Sequence, residues 1–289
     1  SRHHNMYQNN NSALPRQVIL LKELSMIYLD NAATSFPKPN CVISNVSTAL
    51  KFIGGNPGRS GHRMSLTAGK MVLYTRCKLA EFFGTDDPFE YIFTSNCTEA
   101  LNLAIRGSLK NGDHVITTAV EHNSVYRVLY SIQSERNIKI SIVQPDKNGI
   151  INPSDISEEI RSNTKLIIMS HVSNVTGAIQ PVEEVCRICS QKGVLSLIDG
   201  AQAAGYVPTE ISVIKPDMYA FPGHKGLLGP QGTGGLYLKN GIELTPLKTG
   251  GTGSQSLLLT QPPERPERYE SGTMNVPALA GLAAGIDFI

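Results

Sequence analysis

Two hydrophobic periods alternate along most of this chain. Short apolar runs that end in small polar residues are separated by stretches repeating every three or four positions. The first pattern predicts buried strands and the second predicts helices packed by one face. Strands are expected at 90–95 (EYIFTS), 113–120 (DHVITTAV), 138–144 (IKISIVQ), 165–172 (KLIIMSHV), 194–199 (VLSLID) and 216–221 (PDMYAF). Helices are expected at 98–109, where Leu101, Ile105 and Leu109 recur at spacing four, and at 122–135, 153–162 and 181–193. Strands alternating with helices of this length imply βαβ units: an α/β fold with a mainly parallel central sheet and helices on both faces.

In such sheets, ligands gather beyond the carboxyl ends of the strands. Read off in order, those positions carry Thr94-Ser95-Asn96-Cys97-Thr98, Glu121-His122-Asn123, His171-Val172-Ser173-Asn174, Asp199-Gly200-Ala201-Gln202 and Pro222-Gly223-His224-Lys225. One rim thus collects a helix start, several histidines, an Asn, an Asp, a Gln and a Lys.

Composition narrows the setting. With 289 residues, the chain holds one large α/β domain or two modest ones. Hydrophobic residues at 40% and charged residues at 17% suit a globular core. The net charge of +2, with no basic run, argues against nucleic acid as partner. The longest early apolar run, Val18–Leu21, is too short for a signal core or a membrane span. Five scattered cysteines, an odd count, do not form a disulfide framework, which points to a reducing, cytoplasmic compartment. Residues 1–25 are polar, Asn-rich and aperiodic, as expected of a disordered or appended tail, and the patterned domain occupies 26–289.

The stretch FPGHKGLLGPQGTGG, 221–235, sets six glycines around Lys225. A Walker A loop would need Ser or Thr after the lysine, and Gly226 stands there. A dinucleotide fingerprint starting at Gly232 and Gly234 would need glycine where Tyr237 stands. Other chemistry must explain the lysine. Asn96, with Glu99 three residues on, resembles a capping box, so a helix begins at Cys97 and Thr98. That start is either simply well capped or a phosphate site. Asp199 closes an apolar run, and a buried carboxylate there needs a partner, either a structural cation or a bound cationic ring nitrogen. A lysine sheltered among glycines is a Schiff-base candidate. Phosphate site, carboxylate and lysine together match the requirements of pyridoxal 5′-phosphate.

On these residues the chain resembles the class V aminotransferases, a family of pyridoxal-phosphate enzymes of fold type I, and within it the cysteine desulfurase branch. The resemblance is carried by YLDNAATSFPKP, GNPGRSGH, FTSNCTEALNLAIRG, AVEHNSV, SHVSNVTGAIQPV, LIDGAQAAG, GHKGLLGPQGTGGLYL and YESGTMNVPALAGL, in the family's order and over nearly all of the chain after the tail. It implies that Lys225 holds the cofactor covalently and moves the substrate's α-proton. It implies that Asp199 meets the ring nitrogen, His122 stacks on the ring, and Gln202 and Asn174 bond its phenolic oxygen and the substrate side. Cys97, Thr98 and His224 would hold phosphate, Asn31 and Ala32 would line the substrate cleft, and Thr273 would reach the cofactor of the partner in a homodimer. The family often has Ser three residues before the lysine, where this chain has Pro222. The resemblance further implies a small C-terminal domain of roughly a hundred residues, largely absent here, supplying an arginine for the substrate carboxylate and a nucleophilic cysteine.

The activity implied is conversion of L-cysteine to L-alanine, with sulfur held as an enzyme persulfide and passed to an acceptor protein for iron–sulfur assembly. Selenocysteine lyase, aminotransferase and epimerase share the same rim. A cofactor-binding chain without turnover is the reading from another class. Among the cysteines, Cys97 is the best placed for a lowered thiol pKa, at a helix N-terminus, though on the phosphate side. Cys186 and Cys189 form C-x-x-C without a second pair or a histidine at metal spacing, so burial on one helix face is expected and no metal. Arg59 and His62 fall in a Gly-rich loop that the family places near the site entrance or dimer contact, and His114 reads as a turn residue before a strand.

Overall fold

A computed structural model describes residues 27–58, 61–253 and 258–289. The expected tail and Arg59 lie outside the described residues. Seven strands form one sheet: β1 (Tyr91–Thr94), β2 (His114–Thr118), β3 (Lys139–Val143), β4 (Thr164–Ser170), β5 (Leu195–Asp199), β6 (Met218–Pro222) and β7 (Gly234–Leu238). Their spatial order is β1-β7-β6-β5-β4-β2-β3. The pairs β2–β3, β2–β4, β4–β5 and β5–β6 are parallel, while β7 runs antiparallel to both β1 and β6. Each expected strand and helix is present, within a few residues of its expected ends.

Side chains alternate across the sheet and create two apolar layers. Tyr91, Phe93, Ile198, Tyr219 and Phe221 pack on one face with Phe83, Leu279 and Cys186. Ile92, Leu197, Met218 and Ala220 pack on the other with Leu101, Ile105 and Leu129. This is period-two geometry with both faces covered. Each fully buried large apolar side chain contributes about 1.5–3 kcal/mol relative to exposure. The first face is covered by α2 (Arg63–Phe83), α6 (Val182–Lys192) and α8 (Val276–Phe288), with α1 (Asn40–Phe52) packed outside α8. The second carries α3 (Cys97–Ser108) and α4 (Asn123–Glu135). Two short helices, α5 (Pro153–Glu158) and α7 (Ile211–Ile214), finish the connections.

One reading of the sequence is corrected and one element is added. His114 is not a turn residue: it opens β2 fully buried, its Nδ1 2.7 Å from Thr164 Oγ1 and its Nε2 3.0 Å from Ser141 Oγ. Those partners come from neighbouring strands, out of reach of local pattern. The addition is β7: it is not among the strands expected above, and its first residues, Gly234 and Gly235, lie inside the glycine-rich stretch. A Cβ on Gly234 would lie 2.7 Å from the backbone of Asn96, and one on Gly235 2.5 Å from the Phe221 ring. Glycine here lets a central strand run under the helix start of α3.

Candidate active site

The carboxyl ends of β1, β2, β4, β5 and β6 enclose a cavity of about 110 Å³. Its walls include Cys97, Thr98, His122, Asn174, Asp199, Gln202, His224 and Lys225. Eight residues chosen from sequence are therefore brought together from five separate strand ends. Thr273, Asn31 and Ala32 are not part of this wall. Ala32 borders it, because Gln202 Nε2 donates to the Ala32 carbonyl at 3.1 Å, and Asn31 is tied nearby by Tyr206 Oη on its carbonyl at 3.2 Å. Thr273 is exposed and lines two other cavities, of about 280 and 310 Å³.

The helix start behaves as its sequence predicts. Asn96 Oδ1 accepts from Glu99 N at 2.8 Å, while Glu99 Oε2 reaches back to Ser95 N at 2.6 Å, one residue earlier than in a standard capping box. The first N–H groups of the helix, on Cys97 and Thr98, have no intrahelical partner and open on the cavity, as an anion requires.

Asp199 is the last residue of β5 and is buried. Its Oδ1 accepts from Ala201 N at 2.9 Å and from Cys97 Sγ at 3.4 Å. No ion pair engages it among the described residues. Burial pushes its carboxyl up, against those two donors and the more distant His122 and Lys225. A buried carboxylate that lines a cavity, with no ion pair among the described residues, can receive a cationic group of a ligand. The thiol of Cys97 is pushed well up by burial, and then by Asp199, opposite to the lowering that a helix start alone implies.

His122 caps α4. Its Nδ1 accepts from Ser124 N at 3.1 Å, which leaves Nε2 as the ring's donor and fixes the ring plane. His224 is pushed down by burial, then by Lys225 and Lys38, which favours its neutral form. Lys225 follows β6 in a turn closed by Leu228 N to the Lys225 carbonyl at 3.0 Å, with Leu228 at φ 58, a rare conformation for a non-glycine residue. Gly226 permits this turn, since a Cβ there would lie 2.2 Å from the Ala204 carbonyl oxygen. Pro222 ends β6 and lines the cavity without a hydroxyl.

Not every rim residue faces inward. His171 turns away: it is buried, its Nδ1 is 3.1 Å from Tyr219 Oη, and burial pushes it down to about 4. Conversely, Ser170 and Ser124 line the cavity without having been singled out. Ser170 is the last residue of β4, so counting a strand's own final residue would have found it. Glu121 was read onto the rim without a role. It is buried, pushed up to about 7 by burial, and accepts from Thr118 Oγ1 at 2.6 Å, Ser170 N at 2.9 Å and Ser170 Oγ at 2.7 Å. It joins the ends of β2 and β4, next to His122 in the chain. Cys186 and Cys189 are buried, as expected, and no group of three or more metal-ligating side chains occurs among the described residues.

The aminotransferase class-V family pattern matches residues 27–289. The chain belongs to the class V aminotransferases, a family dependent on pyridoxal phosphate, on its cysteine desulfurase branch. It is 33% identical over 282 residues to a probable cysteine desulfurase of Methanothermobacter thermautotrophicus, covering 95% of this chain and 68% of that one. It is 35% identical over 219 residues to the cysteine desulfurase IscS of Pectobacterium carotovorum, covering 74% of this chain and 53% of that one. The apo cysteine desulfurase of Thermococcus onnurineus superposes with a TM-score of 0.84 at 34% identity, over 91% of this chain and 66% of that one. The chain thus spans about half to two thirds of the length of these relatives.

Proposed function

We propose that this chain is the cofactor-binding part of a cysteine desulfurase that converts L-cysteine to L-alanine and passes the sulfur to an enzyme thiol. L-cysteine and a thiol give L-alanine and a persulfide, so the sulfur atom moves without an external oxidant. The observation that carries this reading is the buried, cation-free Asp199 in a cavity shared with Lys225 and with the open helix start at Cys97–Thr98. Those three features fit the ring nitrogen, aldehyde and phosphate of pyridoxal phosphate. When bound, that group supplies an aldehyde that condenses with amines and a ring that withdraws electrons from the bonds at the amine's carbon.

The chain's residues then have defined tasks. Asp199, oriented by Ala201 N–H and the Cys97 thiol, would stabilise positive charge on the ring nitrogen. The N–H groups of Cys97 and Thr98 and the Nε2–H of His224 would bind phosphate, in place of the hydroxyl that Pro222 lacks. His122, fixed by its cap, would cover the ring. Gln202 and Asn174 would orient the ring oxygen and substrate, with Asn31 and Ala32 at the cleft edge. Lys225 would be the covalent anchor and would take the proton from the substrate's α-carbon.

The homodimer and the cytoplasmic setting belong to this reading. Thr273 is exposed between two open cavities, bordered by exposed Leu73 and Phe89, which suits a residue that reaches a partner's phosphate across a two-fold contact. All five cysteines are unpaired, in keeping with a reducing compartment. An acceptor protein for the persulfide, and a use in iron–sulfur assembly, follow from the reading. One observation favours a second reading, binding without turnover, for the described residues by themselves: Cys97 is the cavity's one cysteine among them, and it is buried against Asp199.

The test is to load the chain with pyridoxal phosphate, reduce with borohydride and map the pyridoxyl group, then assay alanine and sulfide from L-cysteine with a thiol reductant. Pyridoxyl on Lys225 with equimolar alanine and sulfide is expected of the desulfurase. Pyridoxyl on Lys225 without either product supports the second reading, and label on another lysine defeats both.

A further inference from the structure

The segment 33–38 lies more than 180 residues before the reactive lysine, yet it grips the main chain on both sides of that lysine's amide. The His224 carbonyl receives Lys38 Nζ at 2.7 Å and Ser35 N at 3.2 Å, with Ser35 Oγ at 3.1 Å and Thr34 Oγ1 at 3.2 Å also within reach. Ser35 Oγ lies 3.0 Å from the Lys225 carbonyl and accepts from Lys38 Nζ at 2.7 Å. Thr34 Oγ1 lies 3.0 Å from His224 Nδ1. A carbonyl has two lone pairs and a hydroxyl one proton, so not all of these contacts can be bonds at once.

One assignment of protons satisfies every group. Lys38 and Ser35 N donate to the His224 carbonyl. Lys38 also donates to Ser35 Oγ, whose own proton goes to the Lys225 carbonyl. Thr34 then donates to His224 Nδ1, which leaves Nε2–H as that ring's donor. Lys38 is the hub: it makes the shortest contact to the carbonyl, and it orients the serine that holds the next one. Its ammonium is half-buried with no ion pair among the described residues, and burial alone pushes it down to about 8. A cation kept at such a cost, spending its donors on one peptide and one hydroxyl, is placed for geometry rather than surface charge.

We propose that Lys38 is a positioning residue for Lys225: with Ser35 it clamps the carbonyls of His224 and Lys225, so that the lysine side chain leaves a fixed main chain towards the cofactor. This rests on the proposed function. Preorganisation of this kind acts on the rate of covalent capture more than on non-covalent affinity.

The experiment compares the unaltered chain with Lys38→Met, Lys38→Arg and Ser35→Ala, using pyridoxal phosphate as the reacting probe. The rate of pyridoxyl-Lys225 formation is read by timed borohydride quenching and peptide mass. Binding of pyridoxine phosphate, which has no aldehyde, reports the cavity without the covalent step. Loss of a charge-assisted bond predicts capture about tenfold slower in Lys38→Met, with pyridoxine phosphate affinity within about twofold. Lys38→Arg, which keeps charge and donors, is expected to recover most of the rate. Ser35→Ala, which loses only the serine hydroxyl, is expected to slow capture about threefold and decides the matter if Lys38→Met does not fold. Capture at the unaltered rate in Lys38→Met or, failing that variant, Ser35→Ala overturns the inference alone. So does an equal loss of pyridoxine phosphate binding, which would mark a merely structural role. No pyridoxyl on Lys225 in the unaltered chain overturns the proposed function and this inference with it.

Discussion

Asp199 and Glu270 are both carboxylates buried beside the same sheet, and they are buried on different terms. Glu270 meets the Arg76 guanidinium and accepts from Phe93 N at 2.6 Å, while Arg76 also donates to the Tyr91 carbonyl and lies 4.4 Å over the Phe93 ring. Burial pushes Glu270 up, and Arg76 is the first of the influences that hold it down. Every charge in that cluster has its partner inside the chain. Asp199 has two hydrogen-bond donors and, among the described residues, no ion pair; both carboxylates border cavities, so the difference between them is the cation. A buried ion pair with complete internal satisfaction holds structure together. A buried carboxylate left without its cation is held ready for a ligand.

That contrast can be broken by experiment. The largest effect is expected at the satisfied pair: Arg76→Met leaves Glu270 buried and alone, and chemical denaturation should show a loss of about 3–5 kcal/mol. The next tests another buried carboxylate, Glu121, pushed up to about 7. Because its folded pKa is raised, its contribution is fully present below the unfolded value near 4.5 and is lost as pH rises to about 7. Relative to Glu121→Gln, the unaltered chain should lose roughly 3 kcal/mol across that window and stay level above it. The smallest stability change, and the one of opposite sign, is expected at Asp199. Asp199→Asn removes a charge that no ion pair among the described residues compensates, so stability near neutral pH should stay within about 1 kcal/mol of the parent or rise. The same variant should lose alanine and sulfide formation, measured in the assay above. A large destabilisation by Asp199→Asn would make Asp199 and Glu270 alike and remove the basis for a ligand site.

The site was legible to the extent that it is periodic. Cys97, Thr98, His122, Asn174, Asp199, Gln202, His224 and Lys225 all follow from one rule, that the residues after parallel strands share a rim. The rule fails where orientation matters. His171 and Asn174 follow the same strand, and only Asn174 faces the cavity. The thiol of Cys97 is raised rather than lowered, first by burial and then by Asp199, 102 positions away, whose carboxylate it meets. The clasp of Thr34, Ser35 and Lys38 on His224 and Lys225 has no local signature, since neither segment carries a trace of its partner.

By itself, the sequence determined the alternation of strands and helices, the burial of each face, the helix start at Asn96 and which residue types stand at strand ends. These depend on neighbours within a few positions, where side-chain period and capping chemistry act. Tertiary structure alone decided that β7 enters antiparallel between β1 and β6, that Glu121 joins β2 to β4, that Glu270 has a cation while Asp199 has none, and that Lys38 holds the peptide of Lys225. Hydrogen bonds and ion pairs act over about 3–4 Å whatever the separation along the chain, so which polar groups are satisfied is known only once distant segments have met.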